Sequence, residues 1–120
     1  MIVAEEIVCH DLGSVEQIPR GEGRQLRVGA LLLAVFRTRE GGLFATQALC
    51  PHRGGPLADG IVGGGQVICP LHGYRFDLAT GQSIGSDCQP LQTYRVHVDE
   101  RGNMVLSLPV QTARQRATLK

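Results

Sequence analysis

No stretch of this chain runs far without a glycine- or proline-containing break, and that punctuation constrains its fold more than any other feature. Sixteen glycines are spread through 120 residues, and the breaks Pro19–Gly23, Glu40–Gly42, Gly63–Gly65, Thr80–Gly81 and Arg101–Asn103 all have turn chemistry. Between them lie short segments of alternating or β-branched character. The spacing predicts strands over Ile2–Cys9, Arg24–Val28, Leu31–Arg37, Leu43–Gln47, Gln66–Cys69, Arg75–Asp77, Leu91–Asp99 and Met104–Leu108. The last two read as a closing hairpin around Glu100–Asn103. Only Ser14–Ile18 has room for a helical turn. The expectation is an all-β fold, a small antiparallel sandwich or barrel. It occupies one domain over residues 1–108, followed by a flexible tail over 109–120 that carries Arg114, Arg116 and Lys120 and no acid.

Composition excludes several function classes. Twelve Lys and Arg against eleven Asp and Glu leave a net charge of +1, without the basic surplus expected of a nucleic-acid binder. The longest apolar run, Ala30–Phe36, is far too short to cross a membrane, and no secretory signal is visible. A cytoplasmic protein is expected. Four cysteines could form a disulfide framework, but that reading needs a secretory context.

The cysteine and histidine spacing points elsewhere. Leu49-Cys50-Pro51-His52-Arg53-Gly54-Gly55-Pro56-Leu57 and Ile68-Cys69-Pro70-Leu71-His72-Gly73-Tyr74-Arg75-Phe76-Asp77 form the pattern C-x-H, sixteen residues, C-x-x-H. Each loop follows a predicted strand and supplies one thiol and one imidazole. Three readings compete. A structural zinc site uses the same ligand types, but zinc fingers pair Cys with Cys and His with His. A thiol–imidazole catalytic dyad needs only one such pair. A [2Fe–2S] cluster with thiolates on one iron and imidazoles on the other suits two loops that each donate one of both, and it is the favoured reading.

At these residues the chain resembles the Rieske family, over about Arg24 to Leu108, with the cluster-binding part at about 48–78. The resemblance implies one [2Fe–2S] cluster, with Cys50 and Cys69 on the buried iron and His52 and His72 on the outer iron. It also implies a three-sheet antiparallel fold with the cluster at one tip. High-potential respiratory members carry one further Cys in each loop, joined as a disulfide, and hydroxyl donors to sulfur where this chain has Tyr74 and Phe76. Losing such donors disfavours the reduced cluster, so a low potential is expected.

Among small relatives, the chain is similar to the small subunit of NAD(P)H-dependent nitrite reductase through Ala58–Gly65 and Phe76–Gly81. It is also similar to the stand-alone ferredoxins of ring-hydroxylating oxygenases, which share the Phe-Asp…Thr-Gly turn. The first is favoured. Either way a non-catalytic electron-transfer component is implied, with a flavin- or NAD(P)H-linked reductase and a terminal reductase or oxygenase as partners.

The remaining candidates have plainer readings. Cys9 and Cys88 lack ligand spacing and are expected to be free and partly buried, and His97 is expected to point outward from its strand. His10 is isolated. Gly63–Gly65 reads as a wide turn rather than a phosphate cradle. Arg53 and Arg75 flank the loops as surface charge or docking residues, Leu71 is expected to shield the cluster, and Asp77 is expected to bond backbone amides of its turn.

Overall fold

The computed structural model describes residues 6–109, and its order is strands β1 (Ile7–Ser14), β2 (Glu22–Val28), β3 (Leu31–Arg37), β4 (Leu43–Gln47), β5 (Ile61–Gly63), β6 (Gln66–Ile68), β7 (Arg75–Asp77), β8 (Ser83–Ile84), β9 (Thr93–Val98) and β10 (Asn103–Pro109). Two 3₁₀ turns, Val15–Gln17 and Leu57–Asp59, are the helical elements among these residues. The all-β expectation holds. The strand expected from Ile2 begins at Ile7, and residues 2–5 lie outside the described part, as do residues 110–120 of the expected tail. Pro109, assigned to that tail, closes β10 instead, paired with Ile7.

β3 explains how the layers assemble. Its sequence, Leu-Leu-Leu-Ala-Val-Phe-Arg, is almost continuously apolar, and five of its seven residues are both apolar and buried. A strand reads this way when both of its faces are covered. Leu31, Leu33 and Val35 face one core, shared with Met104, Leu106 and Leu108 of β10 and with Ile18. Ala34 and Phe36 face a second core, with Leu57, Val62, Val67, Phe76 and Leu78.

The first core belongs to a six-stranded antiparallel sheet of order β1-β10-β9-β4-β3-β2. β9 is its hinge: Thr93 and Tyr94 pair with β4, while Arg95–Val98 pair with β10. Split at β9, this sheet gives two of the three sheets that the family resemblance implies. The third is the four-stranded sheet β5-β6-β7-β8, which packs over the Ala34–Phe36 face.

Turn chemistry accounts for the connections. Ser14 caps the first 3₁₀ turn by accepting from the Glu16 N–H at 3.1 Å, in the helical turn expected there. Asp99 closes the β9–β10 hairpin, its carboxylate accepting from the Arg101 and Asn103 N–H groups at 2.9 and 3.0 Å. Those bonds, the Asn103 one foremost, hold its carboxyl below the usual carboxylate range. The triglycine segment differs from the expected wide turn. Gly63 pairs with Gln66, so Gly64 and Gly65 form a two-residue hairpin, with φ of 58° and 75° that only glycine adopts readily.

Candidate metal centre

The two Cys–His loops are the same backbone turn built twice. In the first, Leu49 bridges Pro56, the Cys50 N–H donates to the Gly55 carbonyl at 2.8 Å, and the Gly54 N–H donates to the Cys50 carbonyl at 2.8 Å. In the second, Ile68 pairs with Arg75, the Cys69 N–H donates to the Tyr74 carbonyl at 2.7 Å, and the Gly73 N–H donates to the Cys69 carbonyl at 3.1 Å. Gly54 and Gly73 sit at the matching bend with φ of 72° and 75°. Proline follows each cysteine, where no N–H is required. The imidazole alone differs in register: it comes third in the first turn and fourth in the second. The unequal spacings C-x-H and C-x-x-H therefore belong to equal loops.

These turns sort the four side chains by depth. Cys50 and Cys69 are each 3% exposed and belong to the Phe36–Phe76 core, whereas His52 and His72 are exposed. The imidazole ring centroids lie 5.2 Å apart in an edge-on arrangement. Both cysteines are free thiols. Burial pushes the Cys69 thiol up, a backbone contact from Leu71 acts in the opposite direction, and the neighbouring Cys50 raises it further. Gly55 makes this proximity possible: a methyl group there would stand 2.8 Å from Cys69 Sγ.

Neighbouring residues brace the loops. Gln47 donates to the Leu49 carbonyl at 2.8 Å and accepts from the Gln92 N–H at 2.7 Å, tying the base of the first loop to the lead-in of β9. Asp77 accepts from the Thr80 N–H and hydroxyl, both at 2.9 Å, as expected of that turn. Leu71 is 44% exposed and packs across the second loop toward Gly55, so it lies at the surface of the tip. Arg53 and Arg75 are exposed.

Cys88 is free and partly buried, as expected, but its neighbours were not legible in the sequence. It packs against the core that contains Cys50 and Cys69, and burial first, then Cys50, push its thiol up. A third thiol thus borders the buried pair, and no spacing signal announces it, because the contact depends on the fold bringing the β8–β9 connection over the loops. Cys9 is exposed rather than partly buried, His97 is exposed as expected, and His10 is half-buried with no hydrogen-bond partner at Nε2. Tyr74, at a position where the hydroxyl donor of high-potential members is expected to be lost, has its ring 4.3 Å from the His52 ring, inclined by 41°.

Among the described residues no three Cys, His, Asp or Glu side chains converge on one point as ligands of a single ion would. The donors form a buried thiol pair and an exposed imidazole pair instead. That division matches a two-iron cluster with sulfur ligands on one metal and nitrogen ligands on the other, so the residues present fit the group.

Comparison with known proteins agrees. Residues 8–95 match the model of the Rieske [2Fe–2S] domain. The ferredoxin component of the naphthalene 1,2-dioxygenase/salicylate 5-hydroxylase systems of a Ralstonia species is 33% identical over 93 residues, 74% of this chain and 86% of that protein. The fold superposes on a chain from the complex of reduced oxygenase and oxidised ferredoxin in carbazole 1,9a-dioxygenase with a TM-score of 0.72 and 32% identity, covering 82% and 91% of the two chains. It also superposes on a protein assigned as the NADH-dependent nitrite reductase small subunit of Mycobacterium tuberculosis, with a TM-score of 0.79 and coverage of 87% and 97%. At 22% identity that match speaks for the fold. From its paired loops to its overall architecture, the chain belongs to the Rieske [2Fe–2S] domain family and carries electrons through a cluster of that type.

Proposed function

We propose that Cys50 and Cys69 hold the inner iron and His52 and His72 the outer iron, and that the chain serves as a one-electron shuttle between a reductase and a terminal oxygenase of the ring-hydroxylating type. The observation that carries the ligand assignment is the sorting by depth, with two thiols at 3% exposure beneath two exposed imidazoles on matched turns. The cluster supplies reversible one-electron exchange. The chain does the rest. Cys50 and Cys69 keep water from the inner side, the rigid turns limit rearrangement between oxidation states, and the exposed imidazoles bring the electron's exit to the surface. Arg53 and Leu71 are exposed within the two loops and Arg75 is exposed just after the second, and they offer charge for steering and an apolar contact for docking.

The likeness to dioxygenase ferredoxins above 30% identity favours an oxygenase as acceptor and a flavin- or NAD(P)H-linked reductase as donor. A second reading, the small subunit of an NAD(P)H-dependent nitrite reductase, keeps the support of the Ala58–Gly65 segment, since the Phe76–Gly81 turn is common to both. On both readings the chain is a non-catalytic component that works in the cytoplasm as one domain that includes Pro109, its cluster-binding part at about 48–78. No helix of the described residues is long and apolar enough to cross a membrane.

Reconstitution distinguishes the acceptors. The purified protein, expected to be red-brown, is reduced by a flavoprotein reductase and mixed with a ring-hydroxylating oxygenase or with a sirohaem nitrite reductase subunit, and the reoxidation rate is followed optically. Rapid reoxidation by the oxygenase supports the first reading. Reoxidation by the nitrite reductase alone overturns it, and a colourless protein with bound zinc overturns both.

A further inference from the structure

We propose that Tyr74 is a positioning residue for His52: its ring packs on the imidazole across the gap between the loops and fixes the ring's plane. The inference rests on the ligand reading above and adds a residue to it. A metal-bound histidine is normally oriented by a hydrogen bond from its second ring nitrogen to a carboxylate, a carbonyl or water. Among the described residues, neither His52 nor His72 has such a protein partner. What touches His52 is aromatic: the His72 ring at 5.2 Å, edge-on, and the Tyr74 ring at 4.3 Å.

Tyr74 is well placed for the task. It is half-buried and packs against the same core as Cys50, Cys69 and Phe76, so its body is anchored while one side meets the exposed imidazole. Its backbone is fixed too, because its carbonyl accepts the Cys69 N–H at 2.7 Å and closes the second loop. Tyr74 thus belongs to the loop of His72 but supports the histidine of the other loop. The equivalent position in the first loop is Gly55, which has no side chain with which to support His72. The two proposed outer ligands are therefore held unequally, and His52 is the one clamped by the core.

The geometry assigns this role to the ring and not to the hydroxyl, so conservative and non-conservative variants separate the two. In the cluster-loaded protein, Tyr74→Phe keeps the ring, while Tyr74→Leu and Tyr74→Met fill the half-buried space without one. An aromatic pair is worth about 0.5–1.5 kcal/mol beyond its buried area, which corresponds to about a two- to tenfold change in rate. Chelator-driven cluster release from the Leu and Met variants is expected to be faster by about that factor. Their reduced electron paramagnetic resonance spectra are expected to broaden, from a wider spread of His52 orientations, and Tyr74→Phe is expected to match the wild type in both. Wild-type release rates and line widths in the Leu and Met variants overturn the proposal. So does a Phe variant that behaves like Leu, which assigns the role to the hydroxyl. Failure of the ligand reading itself is recognised separately: the wild type would then lack a Rieske spectrum, or His52→Ala would keep it.

Discussion

Replacing Gly55 by alanine is the smallest change that tests the packing of the two loops. The added methyl would stand 2.8 Å from Cys69 Sγ, and 3.1 and 3.2 Å from Cγ and Cδ1 of Leu71. Leu71 is exposed and can swing aside. Cys69 cannot, because it is buried and its N–H and carbonyl are tied to Tyr74 and Gly73. Relief must come from parting the loops by a few tenths of an ångström or more. Overpacking of this kind costs about 1–3 kcal/mol, or about 5- to 150-fold in the balance between closed and opened loops. The assay is iron and labile sulfide per chain, followed by the rate of cluster loss to a chelator. Gly55→Ala is expected to load poorly or to lose its cluster faster by a factor in that range. Gly63→Ala is the control: it lies in β5, in the four-stranded sheet, with nothing within 4 Å of the new methyl, and it is expected to behave as wild type. Normal loading and wild-type release in Gly55→Ala would refute the argument that the thiol pair depends on this approach.

Three further outcomes are expected. The midpoint potential should lie toward the low end of the Rieske range of about −150 to +300 mV, since Phe76 is fully buried without a hydroxyl and the Tyr74 ring is engaged with His52. Film voltammetry giving a value above about +200 mV contradicts this, and the double variant Tyr74→Ser with Phe76→Tyr should move it upward. Cys88→Ala should retain two irons per chain, because Cys88 borders the buried thiols without being one of the proposed ligands; loss of iron would make it a ligand. Asp99 has its carboxyl lowered by backbone bonds, so its stabilising effect is present above the ordinary carboxylate value of about 3.9 and is lost as pH falls through the lowered one. Asp99→Asn should therefore reduce the acid dependence of unfolding below about pH 5, read by denaturant melts at several pH values.

The parts of this molecule that were legible in its sequence are those written in local chemistry. The Leu31–Arg37 run declares a strand, and the spacing of Cys50, His52, Cys69 and His72 marks them as candidate ligands. β8, at two residues, is too short for any period to show, and β5 carries only Ile61-Val62 beside the triglycine break, whereas the equally short β6 and β7 are among the expected strands. The composition of Gly63–Gly65 marks a turn without fixing its length, which the Gly63–Gln66 pairing sets. Cys88 against Cys50 and Tyr74 against His52 join separate loops, and only the packing of the four-stranded sheet over Phe36 brings them together.

The central claim is that two particular histidines and two particular cysteines carry the cluster, and nitrogen-resolved pulsed electron paramagnetic resonance of the reduced protein tests it most directly. Four histidines are present in the chain. The wild type should show two strongly coupled nitrogens, and a variant with both His10 and His97 changed to Asn should keep both couplings. His72→Ala should lose the two-nitrogen signal. Loss of a coupling when only His10 and His97 are changed, or its retention in His72→Ala, would contradict the account.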